Sequence, residues 1–166
     1  MSTPHKKIMT IFCVYNREQI LLGKIKKDGV LKDKYNGFGG KVEPNEDIAA
    51  AAKRELWEEA RIVPLNFKKR GIIVSEFVAK GNPWEGNPVV EFHIFSTTKY
   101  TGVPIETNEM LPTWFKHSEI PYDNIWPDDK FWLPLLLAGK NFVGNLKLKN
   151  TNEILEFKLE EVENLC

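Results

Sequence analysis

The sequence predicts an α+β domain, a mixed β-sheet flanked by helices in an α-β-α sandwich. Apolar β-rich segments recur along the chain, and two stretches between them have helix-forming composition. Their order is strands, helix, strands, helix, hairpin. A chain of 166 residues, 42% hydrophobic and 28% charged, can bury one sizeable core, so residues 1–166 are expected to form a single domain.

Ile8 to Tyr15 is β-rich, and Gln19 to Ile25 forms a second strand after the polar turn Asn16-Arg17-Glu18. Lys26 to Lys34 is charged and reads as a loop. In Tyr35-Asn36-Gly37-Phe38-Gly39-Gly40 the glycines permit positive φ or close approach to a ligand. Pro44-Asn45-Glu46-Asp47 reads as a helix start, with Asn45 as the candidate cap and the acids suited to the positive end of the dipole. Ile48 to Ala60 is rich in Ala, Glu, Leu and Lys, all good helix formers, and Pro64 marks the end of that helix. Gly71 to Val78 and Val89 to Thr98 are strands joined by the Gly/Pro/Asn-rich segment Lys80 to Pro88. Trp114-Phe115 is a short strand, Lys130 to Ala138 a second helix stopped by Gly139, and Phe142 to Lys149 with Ile154 to Val162 a closing hairpin.

Lys plus Arg equal Asp plus Glu at 23 each, so no global field draws the chain to nucleic acid or to a membrane surface. An anionic ligand would have to be met locally or through a metal. No apolar run approaches membrane-spanning length, and the opening residues lack a signal-peptide pattern. The two cysteines, Cys13 and Cys166, do not suggest a disulfide framework, and Cys13 in its apolar strand reads as a buried, inert thiol. A cytoplasmic location is expected.

Glu55, Glu58 and Glu59 are related by steps of three and four, which place them on one helix face a turn apart. Three carboxylates so close repel one another, at a cost that grows with burial. A hard divalent cation removes that cost, because Mg²⁺ prefers oxygen ligands. Taken alone, a bare E-x-x-E-E is more often a solvated acidic face.

The wider spacing overturns that reading. Gly40, Glu46, Arg54-Glu55, Leu56, Glu58-Glu59 and Ile62 match G-x₅-E-x₇-R-E-U-x-E-E-x-G-U, with U apolar, except that Arg61 stands in place of the last glycine. The charged and glycine matches co-occur by chance on the order of 10⁻⁵ times per chain. The pattern is the Nudix box, and the chain resembles the Nudix hydrolases. That resemblance implies the Nudix fold and Mg²⁺-dependent attack on a diphosphate bond, with Mn²⁺ able to substitute. It also implies Glu55, Glu58 and Glu59 as metal ligands, with a backbone carbonyl from Gly39. Glu59 is the implied critical carboxylate. Arg54 orients its neighbours, Glu46 braces the helix, and Glu109 is a further candidate ligand, although a lone loop Glu is more often merely solvated. Arg61 alters the helix exit without removing a ligand.

The resemblance extends from about Ile8 to Val162, through Asn36 to Val42, Asn108-Glu109-Met110, Trp126-Pro127-Asp128-Asp129, Trp132 and Pro134 to Leu137. These segments resemble the animal-type hydrolases of oxidised purine nucleoside triphosphates, monomers that release the monophosphate and pyrophosphate. The implied substrate-binding set is Thr10, Lys26, Asn36, Phe38, Gly39, Gly40, Lys41, Phe77, Trp126, Asp128 and Asp129. Trp126 offers an aromatic face to a purine, and Asn36 has both donor and acceptor groups. Asp128 and Asp129, sharing an apolar site, would exchange protonation states and so serve both an oxidised guanine and an oxidised adenine.

Each of these residues has an ordinary alternative: the Asp pair as helix caps, Trp126 and Trp132 as core, Phe38 as packing, Thr10 as a plain strand residue and Lys26 as a plain loop residue. Val30, Ser75, Val90 and Leu148 are smaller than their counterparts in the animal enzymes, which makes the site roomier. The longer loop from Ala79 to Pro88 places Trp84 where it could cover the pocket. Two other functions compete: hydrolysis of another nucleoside diphosphate derivative or of ordinary dNTPs, and a catalytically silent Nudix domain that binds a nucleotide or a protein. The intact glutamates argue against the silent domain.

Overall fold

The computed structural model describes residues 6–78 and 89–165, so the Ala79 to Pro88 loop and Trp84 lie outside the described residues. The elements run β1 (Lys7–Tyr15), β2 (Gln19–Ile25), β3 (Tyr35–Asn36), α1 (Ile48–Ala60), β4 (Val63–Pro64), β5 (Lys68–Phe77), β6 (Val89–Thr97), β7 (Tyr100–Thr101), β8 (Met110–Lys116), α2 (Asp129–Leu137), β9 (Asn141–Asn150) and β10 (Glu153–Val162). The sheet order is β10-β9-β5-β6-β1-β2-β3, with β8 paired to β2. β1–β6 and β5–β9 are parallel and the other pairs antiparallel, which is the expected mixed sheet.

A strand sends alternate side chains to opposite faces. From β1 and β2, Ile11, Cys13, Ile20 and Leu22 meet Trp132, Leu133 and Leu136 of α2. Phe12, Val14 and Leu21 meet Ala52, Leu56 and Ala60 of α1 on the other face. Both faces are covered, so β1 is apolar without alternation from Ile11 to Val14. Truncating a fully buried side chain such as Leu56 to Ala in these layers costs roughly 2–5 kcal/mol.

The central feature is a split. β1 and β2 pair only at Val14–Leu21 and Tyr15–Ile20. Beyond that point the edge of β1 bonds residues 38 to 42 instead, through Phe12–Phe38 and Met9–Lys41 bridges and the Thr10 N–H to Gly40 carbonyl bond of 2.9 Å. This segment approaches so closely that a Cβ on Gly39 would lie 1.7 Å from the Thr10 carbonyl oxygen. Glycine is required there for space, not for turn geometry.

Several expectations need correction at the element ends. Asn45 does not cap α1: it adopts positive φ, which Asn tolerates, and Asp47 caps by accepting from the Ala50 N–H at 3.1 Å. The helix spans Ile48–Ala60 as expected, but Arg61 rather than Pro64 ends it, turning left-handed (φ 60°) and returning its N–H to the Trp57 carbonyl. Trp114-Phe115 belongs to a seven-residue strand. Its Pro112 obscured that extent, but an edge strand tolerates proline.

Arg61 therefore keeps the helix exit that a glycine would make, at a conformational cost of roughly 1–2 kcal/mol. Its guanidinium, 5.4 Å over the exposed Trp57 ring, offsets about 0.5 kcal/mol of that. Arg61→Gly is expected to raise stability by about 1 kcal/mol in urea denaturation, with Tm up by a few degrees; a fall in both would contradict this account.

Candidate functional site

The inserted segment carries its glycines to the carboxylate face of α1. The Gly39 N–H donates to Glu59 Oε1 at 2.7 Å, and a Cβ on Gly40 would lie 2.6 Å from the Glu55 carboxyl carbon. Carboxylate oxygens of Glu55, Glu59 and Glu109 lie within 4.8 Å of one another. Glu59 is buried, Glu55 half-buried and Glu109 exposed. Hard oxygen donors from three carboxylates at this spacing suit a divalent cation.

Glu58 accepts at 3.3 Å from the Arg54 Nη1 that also bonds Glu55, and the third carboxylate converging with Glu55 and Glu59 is Glu109 from the loop. Arg54 makes a forked pair with Glu46 at 2.8 and 2.9 Å, bonds Glu55 at 2.9 Å and reaches the Lys41 carbonyl at 3.1 Å. The Arg54 hydrogen bonds hold Glu46 down to about 2, helped by the Glu43 N–H. Arg54 thus braces the helix to the inserted segment, and Glu46 is its anchor, as expected.

Burial pushes Glu59 up to about 9; the Gly39 N–H opposes the shift, while Glu55, Glu109 and Glu58 add to it. Burial also raises Glu55, against the pull of Arg54. These carboxyls are held where their charge is costly, and a cation is what would relieve the cost.

On the opposite face, against α2, lies a small pocket. Trp126, Asp128, Asp129 and Trp132 line one side, and Ile11, Ile73, Ser75 and Leu148 are among its sheet-side walls. The Asp128 side chain does not cap α2 and instead accepts from the Trp132 indole N–H at 2.9 Å. Burial raises both carboxyls. For Asp128 the Trp132 bond opposes the rise; for Asp129 the neighbouring Asp128 charge adds to it, with Trp132 and Lys34 opposing. Phe77 stands edge-on to Trp126, ring centroids 6.1 Å apart. Burial, with the Asp129 charge, also raises the Cys13 thiol, so it stays a protonated, inert group.

Other expected site residues separate. Phe38 is fully buried in the α1-side core with Phe12, Leu21 and Leu56, so it packs rather than facing a ligand. The Asn36 side chain accepts from the Gly37 N–H at 2.9 Å, beside the inserted segment. Lys41 is exposed and contributes its carbonyl to Arg54. Lys26 bonds the Thr107 carbonyl and Glu106, both at 2.8 Å. The Thr10 hydroxyl is buried with no hydrogen-bond partner among the described residues. Of the smaller residues, Ser75 and Leu148 line the cavity, Val90 is in the core behind it, and Val30 is solvent-exposed. Sequence reasoning missed Thr107, whose contacts require the folded loop, and the role of the Trp132 indole, whose i+4 spacing from Asp128 was visible.

The NUDIX domain model matches residues 4–130. The oxidized purine nucleoside triphosphate hydrolase of Mus musculus is 41% identical over 163 residues, spanning 98% of this chain and 99% of that protein. The protein of the same name from Danio rerio is 40% identical over 159 residues, spanning 96% and 97%. Among solved structures, the mutator MutT protein from Bacillus halodurans superposes with a TM-score of 0.78 at 24% identity, covering 93% of this chain and 97% of that one. At that identity the likeness concerns the fold.

A buried carboxyl raised from 4.5 to about 9 contributes stability that is present below pH 4.5 and lost as pH rises toward 9. In EDTA, Glu59→Gln should therefore melt above wild type at pH 8, with the gap closing near pH 4.5. Excess Mg²⁺ should raise the Tm of wild type and not of the variant. Thermal melts at the two pH values decide it, and equal melting at both would remove the burial argument.

Proposed function

Since the chain belongs to the Nudix family and is a hydrolase, we propose that it hydrolyses oxidised purine nucleoside triphosphates to the monophosphate and pyrophosphate with Mg²⁺. The observation that carries this reading is the placement of two unlike sites on the two faces of one split sheet. Gly37 abuts the cavity wall, where a Cβ would lie 2.7 Å from Ile11 Cγ2, and Gly39 two residues on bonds Glu59. Two residues of extended chain span roughly 7 Å, the scale of a sugar with its 5′ carbon. A base in the cavity would then set its phosphates beside Glu55, Glu59 and Glu109.

Glu55, Glu59 and Glu109 would hold the Mg²⁺, with the Gly39 carbonyl as a further donor and Mn²⁺ as a substitute. When bound, the ion would supply positive charge to the diphosphate oxygens and lower the pKa of a water beside them. Glu59 orients that water or takes its proton while the α,β-anhydride P–O bond breaks and pyrophosphate leaves. Glu58 supports the set by steadying Arg54, and the exposed Lys41, within the inserted segment, would offer its charge to phosphate. In the cavity, Trp126 stacks on the purine and the Asp pair shares protons. A protonated carboxyl donates to the base edge and an ionised one only accepts, so the pair serves two oxidised purines.

A second reading, hydrolysis of ordinary dNTPs or another nucleoside diphosphate derivative, is favoured by the short Ser75 side chain in the cavity wall. Pyrophosphate release from 8-oxo-dGTP, 2-hydroxy-dATP, the four ordinary dNTPs and ADP-ribose separates the two, with Glu59→Gln as the contamination control. Preference for the modified purines is the expected result; turnover of ordinary dNTPs alone would favour the second reading.

The Asp pair gives a sharper test. In wild type the ratio of kcat/KM for 8-oxo-dGTP to that for 2-hydroxy-dATP should change with pH above the ordinary carboxylate range, because burial raises both groups. Asp128→Asn and Asp129→Asn should each flatten that change and lower at least one of the two kcat/KM values by about 10-fold. If both variants keep the wild-type ratio and its pH profile, proton sharing is not the means of recognition.

A further inference from the structure

The cluster of three carboxylates includes a loop residue, Glu109, which lies just before β8. The loop is fastened first at the Thr107 hydroxyl. The Thr107 hydroxyl donates to the Glu59 carbonyl at 3.0 Å and accepts from the N–H groups of Met110 at 3.2 Å and Glu109 at 3.4 Å. A hydroxyl has one proton and two lone pairs, and all are in use. The Glu59 carbonyl is among the last four of α1, which have no partner within the helix. The Ala60 carbonyl beside it accepts from the Ile105 N–H at 3.3 Å. The end of the helix that bears Glu55 and Glu59 is thus capped by the loop that bears Glu109.

A second fastening comes from β2. The Lys26 ammonium bonds the Thr107 carbonyl and Glu106 at 2.8 Å, and the Lys26 N–H donates to the Glu109 carbonyl at 3.1 Å. The ammonium is therefore committed to the loop.

We propose that Thr107 is a positioning residue that pins Glu109 against Glu59, with Lys26 as a latch on the same loop, so that the carboxylates converge before nucleotide arrives. The inference rests on reading Glu109 as a ligand of the divalent cation. Thr107 is not a ligand in this reading; it acts by holding Glu109 against the Glu59 end of α1.

The test is Mn²⁺ affinity of the nucleotide-free protein, read from the free-ion paramagnetic resonance signal. Thr107→Val keeps the shape and removes the hydroxyl, and it should weaken Mn²⁺ about 10-fold. Thr107→Ser keeps the hydroxyl and should restore the affinity, which a packing role for the methyl group would not. In a Glu109→Gln background, Thr107→Val should cause no further loss. Where Thr107→Val fails to fold, Lys26→Met removes the ammonium's two bonds to the same loop and should weaken Mn²⁺ without nucleotide present, a result that a pure substrate contact would not give. Unchanged affinity in Thr107→Val, or an equal loss in the Glu109→Gln background, overturns the proposal. If Glu109→Gln itself binds Mn²⁺ as wild type does, the premise falls and the proposal with it, while the assignment of Glu55 and Glu59 stands.

Discussion

The hydrogen bond from the Gly39 N–H to the Glu59 carboxylate, 2.7 Å long, joins the two parts of the molecule that must not drift. One is the segment inserted between β1 and β2; the other is the helix carrying the acids. A neutral donor aimed at a buried carboxylate offsets only part of the desolvation cost, so Glu59 remains raised to about 9. The rest of the site follows from holding that carboxylate in place: glycine at residue 39 because the Thr10 carbonyl leaves no room for a side chain, and glycine at residue 40 because the Glu55 carboxylate occupies the space.

A helix carrying crowded acids on a half-buried face conflicts with its own stability, and the structure spreads that conflict over several partners. Arg54 takes Glu46, Glu55 and Glu58 at once, and the loop around Thr107 caps the orphan carbonyls at the helix end. On the apolar side Ala52, Leu56 and Ala60 anchor the helix to the sheet. Such local costs concentrate at functional sites, where stability and activity ask for different arrangements.

The α2 face solves a different problem. Two adjacent carboxylates are buried among aromatic and aliphatic side chains with one indole N–H directed at Asp128. Both are pushed toward their protonated forms by burial, as Glu59 and Glu55 are on the α1 face, where a cation would offset it. The sheet between them keeps a site suited to neutral hydrogen bonding apart from one suited to a cation. No helix among the described residues is long and apolar enough to cross a membrane.

The sequence by itself determined the class of fold and the chemistry of the helix. Apolar segments of known period report strands and helices, and the spacing of Gly40, Glu46, Arg54, Glu55, Glu58 and Glu59 reports one face of one helix, because both are local properties of the backbone. It also singled out the adjacent pair Asp128 and Asp129, though not that the Asp128 side chain leaves α2 uncapped. Only the tertiary structure decided which acids converge. Glu58 shares the helix face and accepts from Arg54, while Glu109, about 50 residues from the helix, completes the cluster through the hydrogen bonds of Thr107. It likewise decided that Phe38, flanked by site glycines, is core, since the side of the inserted segment a residue faces is set by how β1 and β2 separate. Those outcomes depend on contacts between distant parts of the chain, where sequence spacing carries no distance.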